Sequence, residues 1–233
     1  MSSPSNDLQL YALSSGTRFY CPSSGAAAVS PAFDAAWEDT SAATRLRCVT
    51  TKSSTAMTTV SFTDLDTTDR DILVRQYVSD AIDAQTIPAT IARLQFRARE
   101  LSSTEDMFIA WGMRVVSNDG TVVRGTLVTV NRGPVEFATS LTNAGDSANT
   151  TAVTASANDR IVIELGAGGD PTAVHDFDLR IGDTGSTDLI EDNANTTDNV
   201  PWVELSYAIT FAGAATTWGG LLGTQRNRLV VVP

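Results

Sequence analysis

Apolar and polar residues alternate along most of this chain. A period of two marks half-buried β-strands, because successive side chains leave a strand on opposite faces. From Thr90 to Glu100, Leu94, Phe96 and Ala98 alternate with Arg93, Gln95, Arg97 and Arg99. Met107 to Ser117 repeats the pattern, with Ile109, Trp111, Met113 and Val115 on one face, and runs into Asn118-Asp119-Gly120. Those three residues tolerate the positive φ of tight hairpin turns, so a return strand is predicted over Thr121–Asn131. Arg160–Leu165 alternates likewise, as does Trp202–Phe211, with Val203, Leu205, Tyr207, Ile209 and Phe211 inward. Further strands are predicted at Thr17–Pro22, Thr44–Thr51, Met57–Phe62, Ile72–Val78 and Phe177–Ile181. About ten short strands separated by Gly, Asn, Asp and Ser make the chain all-β, a sandwich or a barrel.

Helical signals are few. Ser30-Pro31 before AFDAAWED reads as an N-cap with proline at the first helical position, enough for one or two turns. Between Asp80 and Leu94, Pro88 interrupts an apolar series, which predicts a strand, a connector and another strand. Residues 1–15 are Ser-rich and lack alternation, and read as an N-terminal arm. Residues 16–211 carry the strands, and 212–233 form a Gly/Ala/Thr linker ending in the apolar run Leu229–Val232. That run is either the last strand of the sandwich or an anchor reaching a neighbour, since an uncovered apolar terminal strand invites aggregation.

Composition narrows the function classes. The 233 residues are 42% hydrophobic and only 18% charged, which excludes intrinsic disorder. Threonine supplies about one residue in eight, so hydroxyls carry much of the polarity. A net charge of −11 repels phosphate, so no nucleic-acid partner is expected. No stretch approaches the roughly 18 apolar residues of a membrane span, so no membrane partner is expected either. The opening MSSPSNDLQLYALSSG has neither a basic n-region nor an apolar core, and no signal peptide is expected. Cys21 and Cys48 lie in short apolar runs that fit neighbouring strands, where they are two buried thiols or a bridged pair.

Candidate chemistry is sparse. His175, the only histidine, sits between Asp170, Asp176 and Asp178, with no G-x-S-x-G motif to supply a nucleophile, and reads as a loop or strand-edge residue beside solvated acids. Glu136, Glu164 and Glu204 are the carboxylates from which a glycosidase pair would be built. Glu164 and Glu204, however, fall on the outward, solvated phase of their strands. Gly166-Ala167-Gly168-Gly169 lacks the following helix that a phosphate loop needs, and predicts a turn. Residues 176–199 gather Asp176, Asp178, Asp183, Asp188, Glu191, Asp192 and Asp198 among Asn, Gly and Thr. Such oxygen-rich loops suit Ca²⁺ but equally cap their own turns, and no EF-hand spacing is present. Asn149-Thr150-Thr151 and Asn195-Thr196-Thr197 match glycosylation acceptors, which mean little without a secretory signal. The reading that follows is no enzyme and no cofactor, with no catalytic, cofactor-binding or metal residue put forward. A carbohydrate module remains the competing class, with Trp37, Trp111, Trp202 and Trp218 as stacking platforms. Arg93, Arg97 and Arg99 form a candidate intersubunit or capsid-facing patch, unless carboxylates on the adjacent strand balance them.

Several segments carry a family resemblance. TRFYCPSSGAAAVSPAFDAAWEDT, RQYVSDAIDAQTI, MRVVSNDGTVVRGTL, NDRIVIELGAGGDP and LRIGDTGSTDLIEDNANTTDNVPWVEL occur in this order. Together they resemble a group of uncharacterised proteins of tailed bacteriophages over roughly residues 16–211. The resemblance implies a single jelly-roll-like antiparallel β-sandwich with N- and C-terminal extensions, made as a virion structural protein in the host cytoplasm. It transfers no functional residue. The expected role is a capsid decoration (cement) protein bound to the major capsid protein or other virion proteins. Particle symmetry favours a homo-oligomer, a trimer first. The alternative is a tail, fibre or baseplate module that binds host carbohydrate.

Overall fold

The computed structural model describes residues 16–52, 55–169, 174–185, 187–191 and 199–213. The expectations for the N-terminal arm, Trp218, Asp170, Asp192, Asp198, Asn195 and the Leu229–Val232 run lie outside the described residues. The described chain is all-β: β1 (Thr17–Tyr20), β2 (Thr44–Arg47), β3 (Thr55–Asp64), β4 (Arg70–Ala81), β5 (Gln85–Ile87), β6 (Ile91–Glu100), β7 (Met107–Val116), β8 (Val123–Glu136), β9 (Thr142–Asn149), β10 (Val153–Ala155), β11 (Arg160–Gly169), β12 (His175–Asp183) and β13 (Trp202–Leu205).

The pairing is nested. Among the eight strands β3, β4, β6, β7, β8, β9, β11 and β12, the first pairs with the eighth, the second with the seventh, the third with the sixth and the fourth with the fifth, each antiparallel. Two sheets result: β3-β12-β6-β9, the first sheet, and β4-β11-β7-β8, the second. This hairpin folded twice on itself is a jelly roll. One pair departs from the antiparallel expectation, because β2 adds to β4 in parallel.

Two strand lines of the first sheet are broken at the same level. Along one edge β6 pairs first with β12, Glu100 to Arg97 against Phe177 to Arg180, and then with β13, Gln95 to Ala92 against Trp202 to Leu205. β13, which starts at Trp202, therefore resumes the line of β12, which ends at Asp183. β1 pairs with β13 and β3 with β12, so the neighbouring line breaks at the same point, between Tyr20 and Thr55. The Gly182 N–H donates to the Cys21 carbonyl at 2.9 Å and ties the two breaks together.

The core between the sheets holds Phe19, Tyr77, Leu94, Phe96, Trp111, Phe177 and Leu179, each fully buried. The alternating faces of β6, β7 and β13 point there as predicted. The second sheet is buried on its outer face as well. There the chain from Gly25 to Ala43 lies over it: Ala27 and Val29 pack on Val78, Val116 and Val162, while Trp37, Phe33 and Ala43 pack on Leu73 and Ala110. The helix expected after Pro31 does not form. Its residues make a turn in which the Asp34 carboxylate accepts from the Ala36 N–H, and Trp37 is pulled down onto the sheet.

Two further expectations are corrected, and one strand was not anticipated. Gly166–Gly169 is not a turn but the end of β11, paired on both sides with β4 and β7. A Cβ at Gly166 would overlap the Ile72 carbonyl oxygen, and one at Gly168 would meet the Asp71 carboxylate and the Arg132 guanidinium. β13 ends at Leu205, short of the predicted Phe211, because the chain turns off to cap the sandwich: Ile209 N–H donates to Thr17 Oγ1 at 2.7 Å, and the Phe211 ring meets Phe19 edge-on at 6.3 Å. β9 lies in TNAGDSAN, where no alternation announced a strand. The hairpin at Asn118-Asp119-Gly120 forms, with Gly120 at φ 78°. Hydrogen bonds from Ser117 and Thr121 hold the Asp119 carboxyl down at about 2.

Cys21 and Cys48 are free, buried thiols. The Tyr20–Val49 backbone pair sets them opposite one another, and burial pushes Cys48 up to about 12.

Candidate functional site

The outer face of the first sheet is the surface on which polar chemistry collects. Alternation along β6 sends Leu94, Phe96 and Ala98 inward and leaves Arg93, Gln95, Arg97 and Arg99 on this face. Part of it is roofed by the excursion after β12. Leu189 is buried there; its carbonyl accepts from Trp202 Nε1 at 2.7 Å, and the Ile190 carbonyl accepts from Asn143 Nδ2 at 2.5 Å. Under this roof Trp202, Gln95 and Arg97 are buried.

An ionic cluster fixes the roof to the strand break. Arg18 donates to Asp188 Oδ2 and Glu204 Oε2, both at 2.6 Å, and its guanidinium lies 3.9 Å over the Trp202 ring. Lys52 Nζ reaches Asp188 Oδ1 at 2.5 Å. Burial raises the Asp188 carboxyl, yet the hydrogen bonds from Lys52 and Arg18 outweigh it and hold the group below its usual range.

The arginine patch is therefore not a unit. Arg99 pairs with Asp178 on β12 at 2.6 Å, the balance expected of adjacent strands. Arg97 is only 5% exposed, donates to the Leu141 carbonyl and cannot touch a capsid. Arg93 remains at the surface beside β9. The acidic stretch is likewise dispersed: Asp176 accepts from Thr63, Asp178 from Ser61 and Arg99, and Asp183 from the Gly185 N–H. Among the described residues no group of three His, Cys, Asp or Glu side chains could hold a metal ion.

His175 is not at an edge. It opens β12, between β3 and β6, is fully buried, and has Nδ1 at 2.7 Å from the Asp66 carbonyl. The three candidate glutamates do not face one another. Glu136 is exposed on β8 and Glu204 lies on the first sheet's outer face. Glu164 overturns the solvated reading altogether, at 2% exposure on the outer face of the second sheet. It accepts from Trp37 Nε1 at 2.9 Å, Gln76 Nε2 at 2.8 Å, Arg114 Nη2 at 2.8 Å and the Asp34 N–H at 3.2 Å. This carboxylate is the socket into which the covering segment plugs.

A second buried acid, Glu100, ends β6. Burial raises its carboxyl, helped by the nearby Glu136, Glu105 and Asp106 charges. A raised acid stabilises the fold below its ordinary value of 4.5, and that contribution is lost as pH rises through the folded value. Glu100→Gln, which keeps an acceptor for the Met107 N–H, is expected to raise the melting temperature at neutral pH, with the gain vanishing in acid. Equal melting temperatures for variant and parent at both pH values would contradict this.

No family model matches the chain, and no curated protein matches it. Among solved structures it is similar to a CocE/NonD family hydrolase from Staphylococcus aureus, at 8% identity and a TM-score of 0.45, covering 84% of this chain and 36% of that one. It is also similar to infectious bursal disease virus, Gx strain, at 13% identity, TM-score 0.22, covering 67% of this chain and 37% of the other. The VP2 subviral particle of infectious bursal disease virus follows at 12% identity, TM-score 0.16, with coverages of 67% and 39%. The chain thus spans less than two fifths of the length of the solved chains it matches. The expectation of no enzyme is corrected here: with a hydrolase among its structural neighbours, a non-enzymatic reading is withdrawn. At this identity and TM-score the likeness carries no activity over, and no hydrolase residue is transferred. Among the described residues no helix is long and apolar enough to cross a membrane.

Proposed function

We propose that this chain is a structural protein of a tailed-bacteriophage virion, a decoration protein seated on the head as an oligomer, with a trimer favoured. The nested jelly-roll pairing is the observation that carries the reading, because this architecture recurs in viral capsid domains and agrees with the ordered phage-like segments in the sequence. The surface fits the role. Covered on its outer face by residues 25–43 and closed by the Glu164 socket, the second sheet is a rigid slab. β3 offers the opposite character: a ten-residue strand at the border of the first sheet, with most of its side chains exposed and rich in hydroxyls. A free edge of this kind takes a neighbouring strand through backbone hydrogen bonds. In this reading residues 16–211 are the sandwich, residues 1–15 an arm, and residues 212–233 a tether to a neighbouring subunit or to the major capsid protein.

The alternative, a tail, fibre or baseplate module stacking host sugars on tryptophan, loses three of its four platforms, since Trp37, Trp111 and Trp202 are 5%, 0% and 1% exposed, and keeps only Trp218, which lies outside the described residues. The test is co-sedimentation of the purified full chain with phage particles that lack it. Saturable binding to heads, lost on deletion of residues 213–233 while the melting temperature holds, supports the reading. Binding confined to isolated tails, or none, defeats it.

A further inference from the structure

The outer face of the first sheet contains a depression that the decoration role does not use. It has a volume of about 490 Å³ and is lined by Arg93 and Gln95 of β6, Gly145, Asp146 and Ser147 of β9, Pro134 of β8, and Glu191 of the roof. That volume lies within the range of small-ligand sites, about 300–1,000 Å³. Two of its groups are primed for a ligand. Gln95 is 7% exposed, and its Oε1 is buried without a hydrogen-bond partner. An unmet buried acceptor is costly, so it is a feature that needs an occupant. Arg93 makes no ion pair among the described residues: Glu204, opposite it on β13, is already committed to Arg18. Gly145 sits opposite Gln95 in the ladder, and any Cβ there would collide with the Gln95 amide, so glycine keeps the amide in place on the floor.

We infer that this depression binds a neutral saccharide. The lining mixes donors and acceptors: the Arg93 guanidinium donates, the Gln95 oxygen and the Glu191 carboxylate accept, and the Ser147 hydroxyl does both, while Asp146, in register with the inward Leu94, already accepts from Trp111 Nε1 at 2.8 Å. An anion meets the Glu191 carboxylate and a cation meets Arg93, while an apolar ligand leaves Gln95 unmet. A ring of vicinal hydroxyls, each both donor and acceptor, satisfies all of them at once, and the Pro134 ring supplies an apolar wall for a sugar face. The inference does not depend on where the protein sits in a virion.

Saturation-transfer NMR on the full chain tests it, with glucose, galactose, mannose, N-acetylglucosamine and rhamnose as probes and sialic acid and glucuronate as anionic controls. Transfer to at least one neutral sugar is expected. Binding weakens by about tenfold or more in each of Arg93→Ala and Gln95→Met, the loss of one good polar contact. Melting temperature monitors folding, and Arg93→Ala, at the rim, keeps the test valid if Gln95→Met is poorly folded. No transfer to any neutral sugar overturns the inference. So does binding that Arg93→Ala leaves unchanged, or a preference for the anionic controls.

Discussion

Glu164→Ala is expected to destabilise the protein by about 3–5 kcal/mol, the cost of removing one partner from a buried ion pair. The change leaves Arg114, at 7% side-chain exposure, without its principal counter-charge, because its other carboxylate, Asp34, is 3.4 Å away. It also strands the Trp37 indole N–H and the Gln76 amide, both of which donate to Glu164. For a chain of this size the melting temperature should fall by on the order of 10 °C. The loss is local in origin, so protease should first cut the segment from Gly25 to Ala43, which loses its socket. Glu164→Gln, which keeps an acceptor but not the charge, should fall between parent and Ala. A melting temperature for Glu164→Ala within a degree or two of the parent would show that the covering segment is held by its apolar contacts alone.

Gly166→Ala should be nearly as damaging. Inside a sheet, the added methyl meets the backbone carbonyl of Ile72 on β4, an atom that moves only if the strand moves. Overpacking of a tight interior costs about 1–3 kcal/mol, and a backbone obstacle places this site at or above the upper end. Gly168→Ala meets side chains instead, the Asp71 carboxylate and the Arg132 guanidinium, which form a 2.6 Å ion pair. Its cost should be smaller and should depend on that pair. Were residues 166–169 a surface turn, each substitution would change stability by less than about 0.5 kcal/mol. Thermal melts of the two variants therefore separate strand from turn.

Period two alone placed β6 and β13 and picked out their core-facing residues, although Gln95, Arg97 and Trp202 on the opposite phase are buried as well. What alternation did not convey is burial on both faces. β7 reads MFIAWGMRVV and β11 reads RIVIELGAGG, nearly continuous apolar runs, and such runs mark strands covered on both sides. Inside the runs stand Arg114 and, beyond the Arg160 that opens β11, Glu164, and that opposite-signed pair was the available signal for the buried socket. Its partners Asp34 and Trp37 come from about 130 residues away in sequence, in a segment whose local pattern favoured a helix. β9 was invisible because its side chains are small and polar and its place is set by partners: Gly145 against Gln95, Asn143 against Arg97. For the same reason the depression beside Arg93 could not be read from sequence. It exists only where β9, the Pro134 segment of β8 and the excursion carrying Glu191 meet.

The proposal that this chain decorates a virion head is tested most directly by immunogold labelling of intact particles, using antibody raised against the full chain. The reading predicts gold distributed over the heads, with tails unlabelled. Gold confined to tails, fibres or baseplates, or particles free of label in a lysate that contains the protein, would contradict it.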